Sequence, residues 1–221
     1  MILSYNYFMF KFLLDILDKL FPKQCYFCKK CDENSIMCSY CYNSIKLNQQ
    51  NKIKIVNNIK VYSASKYIDT LRKLIKGVKY HNKKTLAYYQ AKIMWEYFKP
   101  ICEQEQFLII PVPIHKKRLK QRKFNHMELV ANELSKMSGW NVETRLIERI
   151  KDTKPQYNLN IKEREENLKN AFSIKPEFYN GEKLLIIDDI ITTGSTLAEM
   201  IKTFNQHNIN NITALTTATV D

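Results

Sequence analysis

The chain has few of the residues that break or loosen a fold. It contains four glycines and six prolines in 221 residues, and no low-complexity linker or internal repeat interrupts it. A chain of this length can bury one good hydrophobic core and carry a small additional unit. The composition therefore predicts a compact body.

A long uninterrupted hydrophobic span is also absent. The first 21 residues are largely apolar and aromatic, and no small-residue cleavage site follows them. Four charged residues interrupt this stretch, namely Lys11, Asp15, Asp18 and Lys19. It is therefore neither a good transmembrane span nor a good signal peptide. We expect an amphipathic helix over residues 1–22 that packs on the core, with peripheral membrane attachment as the alternative, and Met9 is a second candidate start.

Acidic residues are too few to balance the basic ones. Lysine and arginine number 35 against 22 aspartates and glutamates, which gives a formal net charge of +13. This excess favours polyanionic partners such as DNA, RNA, an acidic membrane surface or a pyrophosphorylated substrate. A background of solvated lysines explains the charge equally well, so charge alone does not identify the partner.

Two CxxC pairs stand near the start of the chain, nine residues apart. Their members are Cys25 with Cys28 and Cys38 with Cys41. Such pairs direct thiolates at one tetrahedral centre, which predicts a structural zinc ion in a unit over residues 23–50. Disulfides or free thiols are the alternative, but nothing in the chain indicates export to an oxidising compartment, and we expect a cytoplasmic protein. Cys31 lies between the pairs and either replaces Cys28 as a ligand or remains a spare thiol.

The remainder of the chain, residues 51–221, alternates between strand and helix patterns. Strands are predicted over residues 59–63, 107–113 and 184–187. Helices are predicted over residues 67–76, 84–98 and 126–137. The alternation predicts an α/β fold with a parallel, Rossmann-like sheet flanked by helices.

Two adjacent acids follow the third predicted strand. Residues 184–187 are aliphatic without polar alternation, as in a strand covered on both faces. We therefore expect Asp188 and Asp189 at its carboxyl end, where ligands bind in open α/β sheets. Both carboxylates can accept hydrogen bonds from ribose hydroxyls, and a magnesium ion can share their charge.

A loop of five small residues comes next, before a helix predicted from near Leu197. The loop consists of Thr192, Thr193, Gly194, Ser195 and Thr196, and we call it the hydroxyl loop. Backbone N–H groups at such a turn and helix start can hold an anion, and Gly194 permits a positive φ or a close approach by phosphate. The segment predicts a cradle for a sugar and its 5′-phosphate. The alternative is a buried strand followed by a helix capped by Asp189 or Thr196, which leaves the acid pair unexplained.

A basic segment follows the predicted strand over residues 107–113. Its candidate ligand contacts are Pro113, Ile114, His115, Lys116 and Arg118. Cations placed just after such a strand can contact a pyrophosphate. A solvated basic helix face and a stripe for DNA phosphates are the alternatives.

The region from Arg149 through Gln156 to Arg164 is polar and glycine-free. A mobile lid that closes over an active site to exclude water has this composition. An ordinary surface loop has the same composition, so both interpretations stay open.

These segments carry a resemblance to known families. The acid pair and the hydroxyl loop resemble the loop of type I phosphoribosyltransferases that binds phosphoribosyl pyrophosphate (PRPP). The Pro111-Val112-Pro113 segment is similar to that of the amidophosphoribosyltransferases. Together with the CxxC pairs, they resemble the ComF family, including its GntX-like members, known from competence for DNA uptake. Lys123, where the family commonly has glycine, and Cys31 depart from its pattern.

The resemblance implies a phosphoribosyltransferase-like domain with an amino-terminal zinc finger. In such a protein Asp188 and Asp189 contact the ribose of PRPP with magnesium, and residues 192–196 contact its 5′-phosphate. The resemblance also implies a role in internalising or processing transforming single-stranded DNA, with competence proteins as further partners. Transfer of phosphoribose to an unidentified acceptor is the favoured activity, but the cradle indicates binding more directly than catalysis. A non-catalytic module that binds nucleic acid or protein is the alternative, and a purine-salvage enzyme is less favoured.

Overall fold

The computed structural model of the chain describes residues 24–30, 35–49, 53–153 and 161–220. The chain divides into two compact units, residues 1–45 and residues 46–221. The helix expected over residues 1–22 lies outside the described residues, and so does Cys31. Within the described ranges no helix combines the length and the apolar character needed to cross a membrane.

The described part of the first unit is built around its cysteines. It contains one short helix, α1 (Ser39–Asn43). Each CxxC pair begins in a turn, because the Lys29 N–H donates to the Cys25 carbonyl at 2.9 Å and the Tyr42 N–H donates to the Cys38 carbonyl at 3.0 Å. Its buried side chains, within the described residues, are Met37 and three of the four paired cysteines. Thiols thus take the place of an aliphatic core.

The second unit is an α/β domain with a mostly parallel sheet. Its strands are β1 (Ile53–Val56), β2 (Ile59–Lys66), β3 (Leu108–Pro111), β4 (Ile147–Arg149), β5 (Phe172–Ile174), β6 (Leu184–Ile191) and β7 (Ile212–Thr219). Five of them form the central sheet in the order β1-β2-β7-β6-β3. The edge strand β1 is antiparallel to β2, and the other neighbours are parallel. The strands β4 and β5 form a separate antiparallel pair.

Helices flank this sheet, as the alternation of patterns predicted. They are α2 (Asp69–Tyr80), α3 (Leu86–Cys102), α4 (Lys116–Arg122), α5 (His126–Ser138), α6 (Ile161–Leu168) and α7 (Ser195–Asn205). The helix α3 packs on α5 and on the strands β2 and β7, whereas α7 packs on α6 and β5. The apolar side chains of α7 belong to one core cluster with those of β4 and β5.

The central strand β7 is rich in threonine and was not among the predicted strands. Thr216 and Thr217 are fully buried. Their hydroxyls have partners inside the domain, since Ser63 Oγ lies 2.8 Å from Thr216 Oγ1 and Gln90 Nε2 donates to Thr217 Oγ1 at 2.8 Å. Buried hydroxyls are tolerated when they are hydrogen-bonded, so a strand without an aliphatic run can occupy the middle of the sheet.

The strand β6 is longer than predicted. It continues through both acids to Ile191, and Asp188 is paired in register with Thr216 of β7. The prediction that the strand ends before the acids was therefore wrong. The reason is that the neighbouring β7 offers backbone partners beyond Ile187, which the local sequence does not reveal.

Candidate functional site

The two acids of β6 point to opposite faces of the sheet. Side chains alternate along a strand, so Asp188 shares a face with Leu184 and Ile186, which belong to the core cluster beneath α7. Asp189 lies on the other face, where it meets side chains from α2 and α5. Adjacent acids in the sequence thus have different surroundings.

The carboxylate of Asp189 is held by two side chains from distant segments. Lys79 Nζ of α2 donates to Asp189 Oδ2 at 2.6 Å. His126 Nε2 of α5 lies 3.0 Å from the same oxygen. Asp189 is 5% exposed and His126 is 4% exposed, so the contacts are made away from bulk water.

The second ring nitrogen of His126 identifies its tautomer. Arg122 Nη1 lies 3.1 Å from His126 Nδ1. An arginine can only donate, so Nδ1 accepts and the proton resides on Nε2, which donates to Asp189. Burial lowers the pKa of His126, and the charges of Lys79 and Arg122 add to this effect. Asp189 opposes them but does not outweigh them, so the neutral imidazole is favoured.

The two carboxylates differ in acidity as a result. Burial alone would raise the pKa of Asp189, but Lys79 and His126 outweigh it and hold that pKa well below its usual range. Burial and the negative charge of Asp189 together raise the pKa of Asp188 to about 7. A group that counters the charge of Asp188 is therefore favourable at this site.

Asp188 lines a small concave surface together with the hydroxyl loop. The other residues of this surface are Ile190, Ile191, Thr192, Gly194, Ser195, Thr196 and Leu197. The helix α7 begins at Ser195, two residues before the predicted start, so the backbone N–H groups of its first turn belong to this surface. The structure thus brings Asp188 together with four of the five residues predicted to bind a 5′-phosphate, whereas Thr193 does not line this surface.

Gly194 has the positive φ that the sequence permitted. Its φ is +85°, and a Cβ added there would lie 3.0 Å from Val56 Cγ2. The hairpin of β1 and β2 therefore packs directly against the loop. Lys54 of β1 strengthens this contact, because its Nζ donates to the Thr192 carbonyl at 2.8 Å. Within the loop, Thr193 Oγ1 and Ser195 Oγ are 2.7 Å apart.

The basic segment after β3 opens the helix α4. His115 is buried and caps α4, since its Nδ1 accepts the Lys117 N–H at 3.4 Å. Pro113 and Ile114 are half-buried, and Lys116 is exposed. Asp152, which precedes the undescribed residues 154–160, lies 2.9 Å from Lys117 Nζ and 3.5 Å from His115 Nδ1. This segment therefore contacts Asp152, in the first part of the predicted lid region.

Arg149 brings positive charge toward Asp188. Burial and the charge of Arg118 lower the pKa of Arg149, Asp188 and Asp152 oppose them, and the resulting pKa is about 10. The guanidinium of Arg149 also donates to Thr153 Oγ1. Of the predicted site residues, Arg149 thus lies within electrostatic range of both Arg118 and Asp188. Gln156 lies outside the described residues, and Arg164 lies in α6.

The four paired cysteines converge in the first unit. The sulfur atoms of Cys25, Cys28, Cys38 and Cys41 all lie within 4.8 Å of one another. The Cys28 and Cys38 sulfurs are 3.8 Å apart, close to the separation of about 3.8 Å that a tetrahedron with Zn–S bonds of about 2.3 Å requires. Burial would raise the pKa of Cys25, but N–H groups of Cys38, Cys28 and Phe27 lower it to about 6. This donor set can hold a zinc ion.

Sequence reasoning did not assign site roles to Lys79 and His126. A weak signal existed for Lys79, because it follows the buried Ile75 by four residues and so shares part of the apolar face of α2. His126 is the first residue of α5, where exposure is common, and no pattern marked it as buried. Both assignments required the packing of α2 and α5 on β6.

The chain is similar to curated bacterial proteins. Competence protein F of Haemophilus influenzae is 32% identical over 153 residues, which cover 66% of this chain and 66% of that protein. DNA utilization protein YhgH of Salmonella typhimurium is 29% identical over 145 residues, covering 64% of this chain and 63% of that protein. DNA utilization protein YhgH of Escherichia coli K12 is 35% identical over 92 residues, covering 42% of this chain and 40% of that protein.

The matches span about two thirds of the length of the first two relatives. No family model matches the chain. The similarity to these proteins and the four clustered cysteines support placing the chain in the ComF family.

Proposed function

We propose that this chain binds PRPP with magnesium at the surface formed by Asp188 and the hydroxyl loop, and that it acts in competence or DNA uptake. The observation that carries the proposal is the concave surface that Asp188 forms with the hydroxyl loop at the start of α7, with Arg149 within electrostatic range of Asp188. The names of the relatives, a competence protein and DNA utilization proteins, supply the biological context. The proposal also includes a phosphoribosyltransferase-like fold for residues 46–221.

The surface offers a separate contact for each part of PRPP. Backbone N–H groups at the start of α7 and the hydroxyls of Thr192, Ser195 and Thr196 suit a 5′-phosphate. Asp188 suits the ribose hydroxyls, which can donate to a carboxylate. The guanidinium groups of Arg118 and Arg149 suit the pyrophosphate, because each can donate two parallel hydrogen bonds to phosphate oxygens. Magnesium, when bound, would share the charge between Asp188 and the phosphates.

Transfer of phosphoribose is the reaction that such an arrangement supports. The bond between ribose C1 and the pyrophosphate oxygen breaks, pyrophosphate leaves with both electrons, and an acceptor nucleophile bonds to C1 and loses its proton. Arg118 and Arg149 would stabilise the charge on the departing pyrophosphate, and Asp188 would hold the ribose in place. We propose this reaction as the activity, with the acceptor to be found among the components of DNA uptake.

Isothermal titration calorimetry with PRPP and magnesium chloride tests the binding site. The wild-type chain should release heat on titration, whereas Asp188→Asn and Ser195→Ala should weaken binding. Glu177→Gln, an exposed acid on a different segment, is the matched control and should bind as the wild type does. Equal heats for Asp188→Asn and the wild type would reject the assigned site.

Pyrophosphate release tests the reaction. Release from PRPP should be measured with and without single-stranded DNA, with the nucleic acid as the candidate acceptor. A stimulation by DNA that is lost in Asp188→Asn would support transfer. Binding of PRPP without release under either condition would favour a sensor role for the same site.

A second candidate function is binding of single-stranded nucleic acid. It is favoured by a group that we call the basic–aromatic surface, made of the exposed Tyr80 and Lys84 and the half-buried Arg122 and Phe124. Tyr80 is 61% exposed, and Arg122 Cζ lies 5.4 Å from the centroid of its ring. Lys84 Nζ lies 4.8 Å from the centroid of the Phe124 ring. Aromatic rings with adjacent cations can stack on bases and contact phosphates.

Fluorescence anisotropy with a labelled single-stranded oligonucleotide tests this second function. Binding should weaken as salt rises, since each phosphate contact contributes roughly −0.7 to the slope of log K against log salt. Tyr80→Ala and Lys84→Ala should each weaken binding, and Tyr88→Ala is the matched control for an exposed tyrosine outside the surface. Binding that is insensitive to salt, to Tyr80→Ala and to Lys84→Ala would reject it.

A further inference from the structure

The acid pair of β6 carries an inference that rests on the proposed function and deepens it. We propose that the two acids have different roles: Asp188 contacts the ligand, whereas Asp189 is a positioning residue that Lys79 and His126 hold inside the protein. A motif with two adjacent acids would otherwise suggest that both contact the sugar.

The first support is the alternation of side chains along the strand. Both acids lie within β6, which continues to Ile191, so they project to opposite faces of the sheet. Asp188 lines the concave surface together with the hydroxyl loop. Asp189 projects toward α2 and α5, the helices that supply Lys79 and His126. A ligand seated on the hydroxyl loop therefore meets Asp188.

The second support is that protein groups already contact the Asp189 carboxylate. Its Oδ2 receives Lys79 Nζ at 2.6 Å and His126 Nε2 at 3.0 Å. A ribose hydroxyl or a cation would have to displace a charged donor from an atom that is largely buried. Asp188 presents no comparable obstacle, because it is half-buried and borders the loop.

The third support is that the backbone of Asp189 orients the side chain of Asp188. The backbone N–H of Asp189 donates to Asp188 Oδ1 at 2.8 Å, which orients the Asp188 carboxylate. Arg122 in turn fixes the His126 ring through Nδ1 at 3.1 Å. The contacts from Arg122 to His126 and on to Asp189 tie the helices α4 and α5 to β6. The backbone of Asp189 thus orients Asp188, while its side chain joins β6 to α2 and α5.

Calorimetry on isosteric variants separates the two roles. Asp188→Asn should weaken PRPP binding by roughly 10-fold or more, as expected for the loss of a charged hydrogen-bond acceptor. The double variant Lys79→Met/Asp189→Asn removes a positive and a negative charge together and should bind PRPP within about 3-fold of the wild type. A loss in this double variant equal to that in Asp188→Asn would overturn the proposal.

Thermal unfolding shows whether these variants are folded. Lys79→Met alone leaves a buried carboxylate without its cation and should lower Tm by roughly 3–10 °C. The double variant should recover at least half of that loss. Equal Tm values for the wild type and Lys79→Met would show that Lys79 does not hold Asp189. They would overturn the proposed role of Asp189.

Nuclear magnetic resonance of the unaltered chain, labelled with ¹⁵N in its histidines, gives a readout that stability does not provide. The His126 signal, assigned by its loss in His126→Gln, should show the neutral form with the proton on Nε2. It should keep its position when PRPP and magnesium are added, and a large shift would show that the ligand recruits Asp189. If titration of the wild type with PRPP released no heat, the proposed ligand would be rejected. If the His126 signal lacked the Nε2 proton, the proposed contact between His126 and Asp189 would be rejected. The two failures are therefore distinct.

Discussion

Lys79 Nζ lies 2.6 Å from Asp189 Oδ2, although 110 positions separate the two residues in the chain. This contact joins α2 to the centre of the sheet and keeps Asp189 ionised. Its neighbour Asp188 lies beside that fixed negative charge, and burial together with this charge raises the pKa of Asp188 to about 7. The packing of α2 on β6 and the acidity of Asp188 are therefore coupled at two adjacent residues.

The first prediction concerns the stability of the ligand-free protein as pH changes. The pKa of Asp188 is about 7 in the folded state and about 3.9 in an unfolded chain. Folding therefore favours the protonated form of Asp188. Its contribution to the free energy of unfolding is fully present below about pH 4 and is lost as pH rises through about 7. Asp188→Asn should remove this loss and raise the free energy of unfolding at pH 8 by about 1–3 kcal/mol.

Urea unfolding at pH 5 and at pH 8 measures this difference between the variant and the wild type. Glu177→Gln serves as the control, because this exposed acid should leave the pH dependence unchanged. The raised pKa of Asp188 would be contradicted if Asp188→Asn and the wild type differed in free energy of unfolding by the same amount at both pH values.

The second prediction concerns the close approach of Gly194 to the β1–β2 hairpin. Gly194→Ala should destabilise the protein by about 2–3 kcal/mol, because φ is positive and the new Cβ would press on Val56. Gly181→Ala is the matched control, since φ is +92° there but the added Cβ would meet nothing within 4 Å. Its cost should be about 1 kcal/mol, from backbone strain alone.

Chemical denaturation of both glycine variants checks this prediction. Val56→Ala in the Gly194→Ala background should restore part of the lost stability, because it makes room for the new Cβ. Equal losses in the two glycine variants would mean that the contact with Val56 carries no cost.

The third prediction concerns zinc. The purified chain should contain one zinc ion per molecule, held by the four clustered thiols. Cys28→Ser should lose the metal, whereas Cys102→Ser, at a buried cysteine of α3, should retain it. Mass spectrometry of metal content measures both. Full zinc occupancy in Cys28→Ser would reject this cysteine as a ligand.

The fourth prediction concerns the cations beside Asp188. Arg149→Met should weaken PRPP binding by about 10-fold, because in the proposed site its guanidinium contacts the pyrophosphate. Arg145→Met is the control, because this exposed arginine pairs with Glu143 at 2.8 Å, outside the proposed site. Pyrophosphate binding by calorimetry should show the same difference. Unchanged affinity in Arg149→Met would remove Arg149 from the site.

Local sequence patterns were sufficient for several parts of this molecule. The aliphatic run before Asp188, the alternation of strand and helix and the spacing of the cysteines each reflect short-range geometry, and the structure confirms the mostly parallel sheet and the convergence of the four thiols. The positive φ at Gly194 is one of the two options that the sequence permitted, since glycine has no Cβ to hinder that conformation.

The parts that were missed depend on partners far along the chain. The strand β7 has few aliphatic residues, and it is stabilised by buried hydroxyls whose partners, Ser63 and Gln90, come from β2 and α3. The end of β6 was predicted too early, because its ladder with β7 continues past the acids. Long-range pairing of this kind leaves no local periodicity.

The sequence by itself determined that two acids, a hydroxyl-rich loop and four paired cysteines are present, because residue types and spacing are properties of the chain. Only the tertiary structure decided that Asp188 borders the loop while Asp189 meets Lys79 and His126. The physical reason is that a strand alternates its side chains between two faces, and the packing of different helices on those faces sets the environment of each carboxylate.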